Sequence, residues 1–344
     1  MKRWIRLIGL ALMPAMLLGA AGPASSADVI ELKISHYVPA GHGIHRDFIE
    51  PWARELEART NGQVKVTIYP GGTQLGVITK QYDQVRSGVV DIALGLHGIP
   101  RGRFPRTSIT DLPFLAETAD GASKVLWALY PNYLAEEHPG VKMLGMMGHN
   151  AGLIHTKGHQ VTKMEDLKGL RIRTPSAAAS EMLTFLGATP QGLPPTQVYE
   201  SIQKGVLDGT LFPWDPVNSF KLFEVLDYHL DAGVYSVSFY YAMNQKKYDS
   251  LPEDVRAVID DMSGDTLVAK FGPWWDAWDV PGREKAEARG NVITKLNPEE
   301  RERWREALTP MIESWLSNLE TEGGIANARE IYSEAQRLSA EFEK

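Results

Sequence analysis

The chain has 344 residues with 36 basic and 43 acidic side chains, a net charge of −7, and no cysteine. The absence of thiols excludes a disulfide scaffold and a cysteine-anchored lipoprotein. The acidic balance argues against a nucleic-acid partner, because phosphate binding needs a basic surface; an anionic ligand stays open, since a single buried arginine can set the local sign.

Residues 1–27 have the pattern of an export signal. Lys2, Arg3 and Arg6 form a positive n-region, Leu7 to Leu18 a short apolar stretch, and Ser25-Ser26-Ala27 a small-residue cleavage site before Asp28. Pro14 and Gly19 interrupt the apolar run too early for a spanning helix, and the lack of an arginine pair favours the general secretory route. Cleavage removes three of the 36 basic residues and leaves 33 against 43 acidic ones. The remaining stretch, about 317 residues, is enough for two domains, and the expected compartment is the periplasm.

Strand and helix patterns then alternate, which indicates α/β architecture. Glu31 to His36 alternates as a half-buried strand. A Pro-Ala-Gly-His-Gly turn follows it, and a helix then places Phe48, Trp52 and Leu56 on one face. Asn61-Gly62 ends that helix, Val64, Val66 and Ile68 mark the next strand, and Asp91 to Leu96 suits a buried parallel strand. Further strands are expected at Val141–Met146 and Leu170–Thr174, with helices at Ser176–Leu186 and Val198–Val206. Tyr235–Met243 is strongly β-prone and suited to link two lobes. Ser250-Leu-Pro-Glu253 reads as a capping box for a helix burying Val255, Val258, Ile259 and Met262. The last predicted helix has Asn297 as cap, Pro298 at its first position, Glu300 to complete a capping box, and an apolar stripe from Trp304 to Leu319. Pro310 should kink it.

A series of short motifs is more specific. In order they are Thr60-Asn-Gly-Gln63, Tyr69-Pro-Gly-Gly72, Gln74-Leu-Gly76, Leu112-Pro-Phe114, Glu165-Asp-Leu-Lys-Gly-Leu-Arg-Ile-Arg173, Val198-Tyr199, Gly205-Val-Leu-Asp-Gly209 and Leu251-Pro252. In this order the chain resembles the solute-binding proteins of tripartite ATP-independent periplasmic (TRAP) transporters, the DctP-type family, over nearly the whole mature sequence. The resemblance implies a periplasmic binding protein of the second structural type: two α/β lobes joined by crossing strands and a long helix, closing over a ligand in the cleft. It also implies interleaved lobes, 28–150 with 238–278 and 151–237 with 279–344. The implied partners are a small organic anion and the small and large membrane subunits; the chain is a monomer or a homodimer, not an enzyme, and uses no cofactor and no metal.

The family's signature arginine, which pairs with the ligand carboxylate, falls on Arg173. Guanidinium is planar, permanently charged and matches both carboxylate oxygens. Strand alternation sends Arg171 and Arg173 to one face, so only the motif register chooses between them. Compared with the family's sialic-acid members, Phe212 replaces an asparagine, Leu153 an arginine, Tyr37 an asparagine and Leu96 a glutamate. A sugar acid would leave hydroxyls unpaired against such a wall, at about 1–3 kcal/mol each. The expected ligand is therefore an aromatic or otherwise hydrophobic carboxylate, with an α-keto or α-hydroxy group as a variant. Tyr37, Leu96, Phe212, Trp214 and Phe239 or Tyr240 are the expected wall, and His97 and Asn150, at the mouths of their strands, the expected polar partners.

Trp274, Trp275 and Trp278 have the spacing of hinge or core packing. His36, His42 and His45 lack a metal-ligand pattern. Two other classes are distinguishable: a binding protein for an ABC-type importer, which shares the two-lobe architecture, and a secreted α/β hydrolase, for which the sequence has no Gly-x-Ser-x-Gly elbow.

Overall fold

The computed structural model describes residues 29–343, so the export signal and its cleavage site lie outside the described residues. Eleven strands lie among the described residues: β1 (Ile30–His36), β2 (Val64–Tyr69), β3 (Ile92–Leu96), β4 (Val141–Gly148), β5 (Leu153–Thr156), β6 (Arg171–Thr174), β7 (Thr189–Gly192), β8 (Gly209–Phe212), β9 (Tyr228–Asp231), β10 (Ser238–Asn244) and β11 (Val292–Lys295). They form two sheets, one ordered β2-β1-β3-β10-β4 and the other β11-β9-β5-β8-β6-β7. In the first, β1 pairs in parallel with β2 and β3, while β10 inserts antiparallel between β3 and β4. In the second, β6 lies parallel between β7 and β8, so Arg173 sits opposite Gln191 and Thr210.

The chain passes between the sheets after β4, returns from β9 into β10, and passes again along the helix Asp265–Ala288. Gly152 N–H donates to Tyr235 O at 2.7 Å and joins the first two passages side by side. Tyr235–Val237, expected to begin a strand, belongs to this connection, and the strand starts at Ser238. One apolar cluster runs through the crossing, from Ile34 and Leu94 through Val234 and Tyr235 to Ile172 and Leu211. The expected lobe boundary at residue 279 falls within the long helix. The last helix, Ala328–Phe342, packs Ile331, Ala335 and Leu338 into a cluster with Val125 and Leu129 on the first sheet's side. Its apolar face finds its partner there, not on the second sheet.

Local expectations fare unevenly. The helix carrying buried Phe48, Trp52 and Leu56 runs over Ile44–Arg59, its first turn being of π type. Ser176 caps the helix Ala177–Phe185 by accepting from Ala179 N–H. Asn297 Oδ1 likewise accepts from Glu300 N–H at 2.8 Å. The Glu300 carboxylate does not complete the capping box: it accepts from Met164 N–H at 2.7 Å and Trp304 Nε1–H at 2.9 Å, tying the helix to the second lobe. Pro310 lies within the helix Pro298–Thr321 without ending it. Ser250 Oγ donates back to Lys247 O instead of capping the helix Glu253–Asp261, whose N-terminus begins at Pro252.

Candidate ligand-binding site

A cavity lies where the two sheets and the long helix meet. The first lobe contributes Tyr37, His42, Ile44, Leu96 and Phe239, and the crossing segments contribute His149, Tyr235 and Val237. Trp275 enters from the long helix. The second lobe contributes Arg173, Leu211, Phe212 and Phe220 together with four prolines, Pro175, Pro195, Pro213 and Pro216.

Arg173 is the only cation among these side chains and is fully buried, at 0 % exposure. Its Nε donates to Leu193 O at 2.9 Å and its Nη1 to Leu211 O at 3.1 Å, while the guanidinium carbon stands 4.3 Å from the centre of the Phe212 ring. Nη2 is buried without a partner. No carboxylate forms an ion pair with Arg173 among the described residues. Two backbone carbonyls and one aromatic face therefore orient the fork but leave its charge uncompensated. Burial lowers its pKa to about 10, so it remains cationic at neutral pH. A buried charge without a counterion is strongly unfavourable, and an anion in the cavity relieves it. Arg171, two residues away, is partly exposed and bidentate to Asp208, with Nη2–Oδ1 at 2.7 Å and Nε–Oδ2 at 2.9 Å.

The structure brings Arg173, Tyr37, Leu96, Phe212 and Phe239 together around the cavity and leaves three expected residues out. His97 is in the first lobe's interior, Nε2 to Nε2 at 3.0 Å from His138 and edge-on to Phe104 and Tyr240; Tyr240 belongs to that cluster too. Asn150 turns the other way: its Oδ1 accepts from Ala119 N–H at 2.8 Å and its Nδ2 donates to Asp276 and Asp279. Trp214 packs on His155 and His229 with ring centroids at 5.3 and 4.9 Å. In each case the side chain packs against or bonds local neighbours away from the cavity.

Sequence reasoning did not assign His149, Tyr235 and Trp275 to the site. His149 Nδ1–H donates to Asn150 O at 2.5 Å and Nε2 accepts from Val237 N–H at 3.3 Å, which fixes a neutral ring. Burial, with Arg173 contributing, lowers its pKa to about 4. Trp275 packs edge-on to His149 at 5.8 Å, while Trp274 and Trp278 stack on each other outside the wall at 6.0 Å.

The lobes touch on two sides of the cavity. His42 Nδ1 accepts from Ile44 N–H at 3.1 Å, so its Nε2 carries the proton that bonds Asp215 Oδ2 at 2.6 Å across the cleft. Arg101, from the loop after β3, donates to Ser180 Oγ at 2.7 Å and Thr174 Oγ1 at 3.3 Å. It lies so close over Gly192 that a Cβ there would come within 2.4 Å of its guanidinium. His36 and His45 bond each other at 2.9 Å, and the described residues contain no group of side chains suited to hold a metal ion.

Residues 34–318 match the family described as bacterial extracellular solute-binding protein, family 7. The chain belongs to that family. A marine metagenome TRAP solute-binding protein, described as specific for aromatic acid ligands and solved with 3-hydroxybenzoate, is 32% identical, with a TM-score of 0.88 over 92% of this chain and 99% of that one. A TRAP solute-binding protein from Rhodoferax ferrireducens T118, solved with copurified benzoate, is 29% identical, with a TM-score of 0.87 over 92% and 99%. The C4-dicarboxylate-binding periplasmic protein of Rhodobacter capsulatus is 27% identical over 296 residues, 83% of this chain and 86% of the relative. This binding protein thus has the two-lobed TRAP-type fold expected from its motifs, with Arg173 at the centre of its cleft.

Proposed function

We propose that the protein captures an aromatic monocarboxylate in the periplasm, binds its acid group at Arg173 and presents the closed form to TRAP membrane subunits without altering the ligand. The carrying observation is a fully buried guanidinium that lacks a carboxylate partner and lines a largely apolar, aromatic-rich cavity. Phe212, Phe220, Phe239 and Trp275 suit an aromatic ring, because aromatic pairs gain about 0.5–1.5 kcal/mol beyond area burial. The relatives with benzoate and 3-hydroxybenzoate support the same class. A C4-dicarboxylate needs a second cation, and Arg101 is already engaged with Ser180 and Thr174 at the cavity's edge.

The lobes are read as 28–150 with 238–278 and 151–237 with 279–344, except that the last helix moves with the first lobe because its apolar face packs there. Closure swings Tyr37, His42 and Leu96 toward Arg173 and Phe212. The N-terminal pattern supports export, and no helix among the described residues is long and apolar enough to cross a membrane.

The test is a thermal-shift and calorimetric panel of benzoate, 3-hydroxybenzoate, mandelate, succinate and glucuronate. The aromatic acids should raise the melting temperature and be recovered unchanged. Binding of succinate or glucuronate alone would overturn the aromatic assignment.

A further inference from the structure

Few buried polar side-chain atoms in a folded protein lack a hydrogen-bond partner, and each one asks for an explanation. Three of those in this protein belong to residues lining the same cavity: Arg173 Nη2, Tyr235 OH and Trp275 Nε1. All three residues are at most 1 % exposed. The two imidazoles of the wall are engaged. His149 uses both ring nitrogens on backbone groups, and His42 uses both on Ile44 and Asp215.

The placement of Tyr235 is specific. A Cβ at Gly152 would lie 2.2 Å from the Tyr235 ring and 2.5 Å from its hydroxyl, so only glycine leaves room for the phenol. The Gly152 N–H holds the Tyr235 carbonyl at 2.7 Å, and the His149 ring packs edge-on at 5.5 Å. Backbone, glycine and imidazole together fix a phenol that has no internal use for its hydroxyl. Burial raises the pKa of Tyr235, so the hydroxyl keeps its proton and can donate.

We propose that Tyr235 is a second carboxylate donor and a specificity-determining residue of this site: Arg173 Nη2 takes one oxygen of the ligand's acid group and the Tyr235 hydroxyl takes the other. This rests on the carboxylate reading above and adds to it a residue on the crossing segment. A ligand bound in this way ties Arg173 of the second lobe to the chain passing back into the first. A neutral amide or ester keeps one carbonyl acceptor but leaves the other donor unsatisfied and the guanidinium without a counterion, so the site discriminates against amides and esters of the same acid.

The experiment compares wild type, Tyr235→Phe and Tyr37→Phe by calorimetry, using whichever of benzoate, 3-hydroxybenzoate, mandelate and succinate raises the wild-type melting temperature most. Tyr235→Phe keeps the ring and loses a hydroxyl with no internal partner, so its ligand-free melting temperature should match wild type. Its affinity should fall about tenfold or more, the effect of losing a hydrogen bond to a charged group. Tyr37→Phe should lose less than about threefold, since its hydroxyl, also without a partner in the protein, is not fully buried and can bond water when the cleft is empty. Undiminished affinity in Tyr235→Phe, or an equal loss in both variants, overturns the assignment and leaves the carboxylate reading standing. A wild type stabilised by none of the four acids overturns both. If Tyr235→Phe does not fold, the hydroxyl has a structural use and the assignment is likewise wrong.

Discussion

Two regions of the molecule are built from the same residue types and behave differently. In the first lobe, Phe104 stacks on His138 at 4.9 Å, His138 bonds His97 and the Leu134 carbonyl, and Tyr82 and Tyr240 close the cluster edge-on. Around the cleft, Phe212, Phe239, Tyr235, Trp275 and His149 form a similar aromatic and imidazole wall, but around a guanidinium with a free donor. The first cluster bonds His97 to His138, and the one guanidinium that packs on it, Arg103, is paired with Asp83; the second leaves a charge for something that comes from outside. Neither aromatic content nor a single orphaned polar atom distinguishes a core from a site, since His97 Nδ1 is also buried without a partner. A buried charge without a counterion does.

The widest test of that contrast is pH. Burial lowers the pKa of His138, His149 and His229 to about 4, and lowers those of His97 and His155 as well. Each is neutral when folded and binds a proton more readily when unfolded, so its contribution is full above about pH 6.5 and is lost as pH falls toward 4. Asp111 and Asp279, both pushed up by burial to about 7, act in the opposite sense over that range. The histidines outnumber them, so urea midpoints should drop between pH 7 and pH 5; a flat profile would show that the buried rings are already paired with charge. Next in size, Phe104→Ala empties the filled cluster and should destabilise the fold by about 3–5 kcal/mol, leaving the affinity of the molecules that remain folded unchanged.

Arg173→Met should do the reverse. It removes an uncompensated buried charge, so the ligand-free melting temperature should hold or rise, while calorimetric affinity for an aromatic acid falls at least about tenfold. A destabilised Arg173→Met with normal affinity would make the cleft another core. The smallest effect concerns closure: His42→Ala removes the bridge to Asp215 and should speed ligand dissociation by about 2–10-fold in stopped flow, with association little changed.

The same contrast explains what could be read in advance. The strands of the first sheet were legible because Leu32 and Ile34, or Val64 and Val66, alternate with charged neighbours over enough residues. The four-residue strands β5, β7, β8, β9 and β11 are too short for any period to emerge. Arg173 was legible through its motif, Tyr37, Leu96 and Phe212 through replacements relative to the sialic-acid members, and Phe239 only as one of two candidate aromatics, with Tyr240, in the β-prone stretch. His97 and His149 each follow a strand of the same sheet, and nothing local says that the first meets His138 and the second meets the cavity. Asn150 was displaced by a single residue: after an extended strand, one step moves a side chain to the opposite face, and His149 holds the inward position. Tyr235 gave no signal beyond its β propensity, because its importance comes from Gly152, which is close in space and distant in sequence.

The prolines of the cleft have a further consequence. Pro175, Pro195, Pro213 and Pro216 fix φ at four points along the second-lobe wall and remove four N–H groups from it. That surface offers a ring no rival donors, and its backbone has little freedom left to surrender when a guest arrives, so the entropic penalty of association is small on that side. Selectivity along this wall then comes from shape: a substituent one position further round the ring meets a stiff boundary that cannot yield to admit it.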